Sequence, residues 1–304
     1  MGEVLIKAGS FACIIALAQL LKRVGFLKIE DYPVLTKIMM NLTLPASVLC
    51  SFADAEMSPI LLLIALFGFL TNVIMVAVGA FTGRKKDPHV RALRVINYGG
   101  YNIGCFAMPF MQNFLGHNAV IATGMFDIGN ALLVLGGSHA VASRFVNAEA
   151  TSFKDTLKRL FSSVPLLVYL SLFVLSIIGF EIPKPILSVA GIIGNANAFF
   201  AMMAIGLVMD FHIDRNALRE LFTAMFWRYL FAALFALGFY FLLPIALEYR
   251  QVLCLLCFAP ISSTAPVWMR KLNGDAGLAG TLNSCAILVS IVVMTALVIA
   301  FGIM

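Results

Sequence analysis

Charge is what this sequence has least of. Asp, Glu, Lys and Arg make up 12% of its 304 residues, against 62% hydrophobic, where a soluble domain carries about 25% charged residues. That shortage excludes a single soluble core and leaves an all-α polytopic membrane protein. Histidine is also scarce, at four, and the six cysteines all fall inside apolar runs. Cys254 and Cys257 form a C-x-x-C pair with no second pair and no nearby histidine, so they read as small buried hydrophobes rather than metal ligands. No phosphate-binding glycine-lysine loop occurs, which argues against an ATP-driven pump. No nucleophile–base pair or metal cluster is visible either, so neither an enzyme nor a cofactor is expected. The formal charge of +6 is spread in short clusters between apolar runs, a topology signal rather than a nucleic-acid patch.

Long apolar runs are what the chain does have. Spans of about 20 residues fit at 3–21, 34–53, 59–82, 92–115 and 118–143, then at 161–180, 185–208, 217–243, 250–270 and 277–303. The run from Val4 to Leu21 reads as a first span, not a removed signal peptide. Loops after odd-numbered spans hold Lys22, Arg23, Lys28, Arg84, Lys85, Lys86, Arg91, Arg144, Lys154, Lys158, Arg159, Arg215, Arg219, Arg270 and Lys271. Loops after even-numbered spans hold mainly Asp54, Glu56, Glu181, Lys184, Glu248 and Arg250. The bias puts odd-to-even loops in the cytoplasm and both termini outside. Residues 144–160, the longest polar stretch, then form a cytoplasmic linker between a first repeat, 1–143, and a second, 161–304. Five spans per half force opposite insertion, so repeats of this kind have inverted topology.

Two spans are interrupted. The fourth reads Asn97-Tyr-Gly-Gly-Tyr-Asn-Ile-Gly-Cys-Phe-Ala-Met-Pro109, and the ninth reads Ala259-Pro-Ile-Ser-Ser-Thr-Ala-Pro266. Proline removes a donor and glycine loosens the turn, and backbone groups freed in hydrocarbon cost several kcal/mol each unless satisfied. A matched pair of breaks, one per half, points to a secondary transporter's substrate site. Pro109 and Pro266 are expected to end one half-helix and start another, with opposed amide ends attracting an anion without a fixed cation.

Several side chains join this candidate site. Asn102 caps the broken helix or contacts a ligand, with Tyr101 and Tyr98 beside it. Ser262, Ser263 and Thr264 bond freed carbonyls, or contact substrate or a coupling ion. Asp127 lies near the middle of the fifth span, where a charge is expensive and usually functional. It carries a proton, ligates a cation or stabilises a helix contact, and Asn130 shares its face. An offset of 157, taken from Pro109 and Pro266, sets Asn283 almost opposite Asp127. His139 reads as a packing or interfacial residue, and Trp227 with Arg228 as interface anchors. Asn41 and Asn197 serve interhelical bonding or line the cavity.

At these residues the chain resembles the auxin efflux carrier family, which contains plant PIN carriers and bacterial malate-permease-like transporters. The resemblance spans the whole chain and rests on Asn41-Leu-Thr-Leu-Pro45, Ile103-Gly-Cys-Phe-Ala-Met-Pro109, Ala265-Pro266, Asn273-Gly-Asp-Ala-Gly-Leu-Ala279 and Ser290. The short central loop is similar to that of the bacterial members. The resemblance implies the ten-helix fold of bile-acid sodium symporters, with the fourth and ninth helices broken and crossed. A scaffold (3–53, 161–208) would support a transport domain (59–143, 217–303) that moves as an elevator in the plasma membrane (for bacterial members, the inner membrane). It also implies a small organic anion as substrate, contacts from Asn102 and Asn130, and a scaffold-mediated homodimer. Phe199-Phe200 stands where a proline often follows in the seventh helix. The ninth helix lacks the acidic and glutamine residues of a bile-acid-type sodium site, which favours proton coupling or facilitated movement. A sodium-coupled symporter and a ligand-binding channel or sensor are the alternatives.

Overall fold

The computed structural model describes residues 2–53, 58–209 and 217–303. Among them the chain is helical and contains no strand. Asp54, Glu56 and Arg215, which carry part of the charge bias, lie outside the described residues, as do Met1 and Met304. Helices α1 (Gly2–Arg23), α2 (Ile29–Phe52) and α3 (Ile60–Thr82) come first. The first interrupted segment follows as α4 (Pro88–Tyr98) and α5 (residues 103–114), then α6 (His117–Ser143). The second half holds α7 (Phe153–Leu160), α8 (Val164–Ile177), α9 (Lys184–Val208) and α10 (Leu218–Leu242). It ends with α11 (Leu247–Cys257), α12 (Ala265–Lys271) and α13 (Ala276–Ala300).

Seven of these, α1, α2, α3, α6, α9, α10 and α13, are long and apolar enough to cross a membrane. The pair α7 and α8, bent by 69°, makes up to eight if it counts as one span. Such a set is compatible with a multi-pass membrane protein. The expected linker 144–160 is not loop throughout. Ser152 caps α7, its hydroxyl accepting from the Asp155 amide at 3.0 Å, and Lys158 and Arg159 fall in the last turn, where cations suit the helix dipole.

The prolines do not break the helices where expected. In α2 a wider π turn at Met39–Thr43 precedes Pro45, and in α5 another at Ile103–Ala107 precedes Pro109. Such a turn accommodates the missing proline donor without ending the helix. Pro266 sits in the first turn of α12, where its absent N–H costs nothing. The actual breaks lie earlier, at residues 99–102 and 258–264.

Close backbone packing sets the geometry around the first break. A Cβ at Gly68 in α3 would collide with the Phe126 carbonyl, and one at Gly129 in α6 with the Ala65 carbonyl. Only glycine permits this approach. It places Asn72, one turn beyond Gly68, against Asn130, with Asn72 Nδ2 donating to Asn130 Oδ1 at 3.1 Å. Stacked rings of Phe106, Phe110 and Phe114 along α5, with Phe11 of α1 edge-on, hold α5 in the core. From the middle of α4, Arg94 makes a two-pronged ion pair with Glu220 of α10.

Candidate functional site

The two breaks meet. Tyr101 and Ile261 form an isolated antiparallel bridge. The Asn102 amide donates to the Pro260 carbonyl at 2.9 Å and the Ser262 amide to the Gly100 carbonyl at 3.3 Å. Each break thus satisfies part of the other's freed backbone, which is how non-helical chain survives at membrane depth. Gly100 makes the turn possible: its φ is +82°, a region that disfavours side chains.

Three further side chains complete the accounting. Asn130 acts as a backbone mimic: its Oδ1 accepts from the Tyr101 amide at 2.9 Å, and its Nδ2 donates to the Tyr101 carbonyl at 3.0 Å. Asn72 Oδ1 accepts from the Gly100 amide. Arg228, from the middle of α10, supplies the carbonyl side. Its guanidinium donates to the carbonyls of Tyr98 at 2.7 Å, Ala259 at 3.0 Å, Pro260 at 3.1 Å and Gly100 at 3.2 Å. It also lies 5.1 Å from the Tyr101 ring centroid. At 3% exposure, Arg228 is not the interface anchor expected from its neighbour Trp227. A fixed cation does stand at the breaks, contrary to the reading from helix ends alone.

Beside this junction is a cavity of 130 Å³ whose walls include Tyr101, Asn102, Asp127, Asn130, Ser263 and Thr264. Met40 of α2 and Pro165 of α8 close other sides. Asn102 is 5% exposed and its Nδ2 has no hydrogen-bond partner. A buried donor left unpaired costs about 1–3 kcal/mol, so this amide is poised for an acceptor. Asp127 accepts from Asn130 Nδ2 at 2.9 Å. Ser262 and Thr264 bond one another, hydroxyl to hydroxyl, at 2.9 Å, while Ser263 faces the Tyr32 phenol and the Cys105 thiol.

Other expected residues lie elsewhere. Pro109 is buried within α5 and Pro266 half-buried in α12, and neither lines the cavity. Asn283 in α13 is 6% exposed with Oδ1 unpartnered, but it is not a wall residue of this cavity. The offset of 157 relates positions along helices, not the rotation that decides which face looks inward. Tyr98 is fully buried in the packing around α4. Asn41 is exposed and bonds its own helix at Lys37, so it serves neither expected role. Asn197 links three elements, accepting from Thr43 at 3.0 Å and donating to Gln112 at 2.9 Å. His139 packs on Trp268, centroids 4.7 Å apart.

A larger cavity of 290 Å³ lies against the Asn197 network, walled by Ser47, Ser51, Gln112, His117 and Asn195 among others. It contains no intramembrane carboxylate and neither break, so size alone does not make it the candidate. Sequence reasoning missed Asn72 and the depth of Arg228. Both had a signal: each lies ten residues from the nearer end of an apolar helix, roughly 15 Å at 1.5 Å per residue. No protein-family model matches the chain, and no curated protein sequence does.

Proposed function

We propose that the chain is a secondary active or facilitative transporter of a small organic anion, a carboxylate of malate- or auxin-like character, bound in the cavity beside the paired breaks. The carrying observation is the buried, unpartnered amide donor of Asn102, a residue that lines that cavity. It begins a twelve-residue helix, residues 103–114, whose amide end favours negative charge. The cavity volume of 130 Å³ lies below the roughly 300–1,000 Å³ usual for drug-sized ligands, which suits a small substrate.

Asp127 shapes the mechanism. An ionised carboxylate repels an incoming anion in a low-dielectric site, so the anion-binding form carries a protonated Asp127. Proton and anion then travel together. Seven candidate spans, with the bent pair α7 and α8 taken as an eighth and the two interrupted segments as two more, match in number the proposed ten-helix inverted repeat, whose fourth and ninth helices cross and whose transport domain moves as an elevator. The same reading places the protein in a plasma membrane, bacterial inner membrane in type, with both termini outside.

Uptake into proteoliposomes tests this. Saturable uptake of L-malate, succinate or indole-3-acetate that accelerates with an inward proton gradient is expected. Conductive, non-saturating flux would point to a channel, and stimulation by sodium alone would replace the proton with sodium.

A further inference from the structure

The last carbonyls of a helix carry partial negative charge and have no partner within the helix. Two such ends meet here: α4 ends at Tyr98 and α11 at Cys257, with Ala259 and Pro260 just beyond. Crowded together their dipoles would repel, and the backbone bonds between the breaks reach only two of the carbonyls gathered here, Pro260 and Gly100. Arg228 reaches the Tyr98 carbonyl that ends α4, the Ala259 and Pro260 carbonyls just beyond α11, and Gly100. Its planar fork of five donors can serve several carbonyls at once, whereas a lysine offers three donors from one point.

The charge balance is the second observation. Among the described residues, the ion pairs are Lys7 with Glu3 and Arg94 with Glu220, so no carboxylate pairs with Arg228. Asp127 likewise pairs with no cation. The two are joined through neutral groups: Arg228 lies over the Tyr101 ring, Asn130 holds the Tyr101 backbone, and Asn130 donates to Asp127. The other titratable groups near Asp127 are the Cys105 thiol and the Tyr169 phenol; both are neutral in their ordinary state.

We infer that Arg228 is a positioning residue with two effects: it clamps the two helix ends together, and it supplies the positive charge that a bound anion balances when Asp127 is protonated. The second effect rests on the anion-transport reading; the clamp does not. With Asp127 ionised, the site is electrically neutral and closed to anions. Protonation of Asp127 uncovers the Arg228 charge, and the anion restores neutrality. The carboxylate and the guanidinium thereby couple one proton to one negative charge without touching each other.

The test uses the full chain in lipid nanodiscs, with Arg228→Lys and Arg228→Met checked for monodispersity and helicity. Hydrogen exchange at the amides of Gly100, Tyr101, Asn102 and Ser262 reads the clamp. At least tenfold faster exchange is expected in Arg228→Met, with an intermediate value in Arg228→Lys; unchanged exchange in Arg228→Met overturns the clamp. Binding of L-malate against its uncharged diamide reads the charge. The wild type is expected to prefer malate at least tenfold at pH 5.5, Arg228→Lys to retain a preference, and Arg228→Met to lose it. Undiminished preference in a folded Arg228→Met overturns the charge effect while leaving the transporter reading intact. Failure of the wild type to bind L-malate, succinate or indole-3-acetate would instead sink the anion reading, and the charge effect with it, while exchange still decides the clamp. Should Arg228→Met not fold, Arg228→Lys decides the clamp, wild-type exchange contradicting the need for the fork, and a folded Arg228→Gln decides the charge, an undiminished malate preference overturning it.

Discussion

The two breaks do the same topological job with different chemistry. The first, around Gly99–Asn102, is held from outside: Asn72 and Asn130 take its amides, and its own Asn102 side chain is left with a free donor. The second, residues 258–264, ties itself together through the Ser262–Thr264 bond and hands its carbonyls to Arg228. Both breaks line the cavity, but the first brings it an unpartnered amide donor, while the second, whose Ser262 and Thr264 bond one another, chiefly braces it. Two breaks can pair and still differ chemically, because pairing needs only backbone, while recognition needs side chains.

Substitutions can break that contrast, and the largest effect should come from Asn102. Losing a hydrogen bond to a charged ligand costs about 1.5–3 kcal/mol, so Asn102→Ala should weaken anion binding by roughly 10- to 150-fold with the thermal midpoint little changed. Isothermal titration beside a thermal scan separates the two. Next is Asn130→Ala, which removes four hydrogen bonds around the first break. A loss of stability of about 2–4 kcal/mol follows from the stranded Tyr101 amide and carbonyl, read as a lower midpoint and weaker binding together.

Asp127→Asn sharpens the contrast differently. In the wild type, falling pH protonates Asp127 and affinity for the anion rises; the asparagine variant should bind equally at pH 5.5 and pH 7.5, at the stronger level. A pH-dependent binding curve in that variant would assign the proton to another group. The smallest effect belongs to the bracing break: Thr264→Val loses one neutral hydroxyl bond, worth about 1 kcal/mol. Less than tenfold change in binding is expected. A larger loss would make the second break a recognition element too.

Much of this arrangement was legible before the fold. A glycine pair marks the first break, proline and polar residues inside apolar runs mark both, and Asn102, Asp127, Asn130, Ser263 and Thr264 do share one cavity. Both breaks lie in the segments that the sequence marks, but the prolines are not the breaking points: a π turn absorbs Pro109, and a first-turn position suits Pro266. Arg228 was misread because an arginine beside a tryptophan resembles an interfacial anchor, although its place in the middle of α10 indicated otherwise. Asn283 shows the limit of pseudosymmetry, since helix rotation is set by packing and no offset along the chain encodes it.

The central claim is that a buried, unpartnered amide at the first break receives a small anion. Equilibrium binding of L-malate, succinate and indole-3-acetate at pH 5.5, by wild type and by a folded Asn102→Ala variant, addresses it most directly. The account predicts saturable binding of at least one of these anions to the wild type and its loss by tenfold or more in the variant. Equal affinity in the two proteins would contradict it.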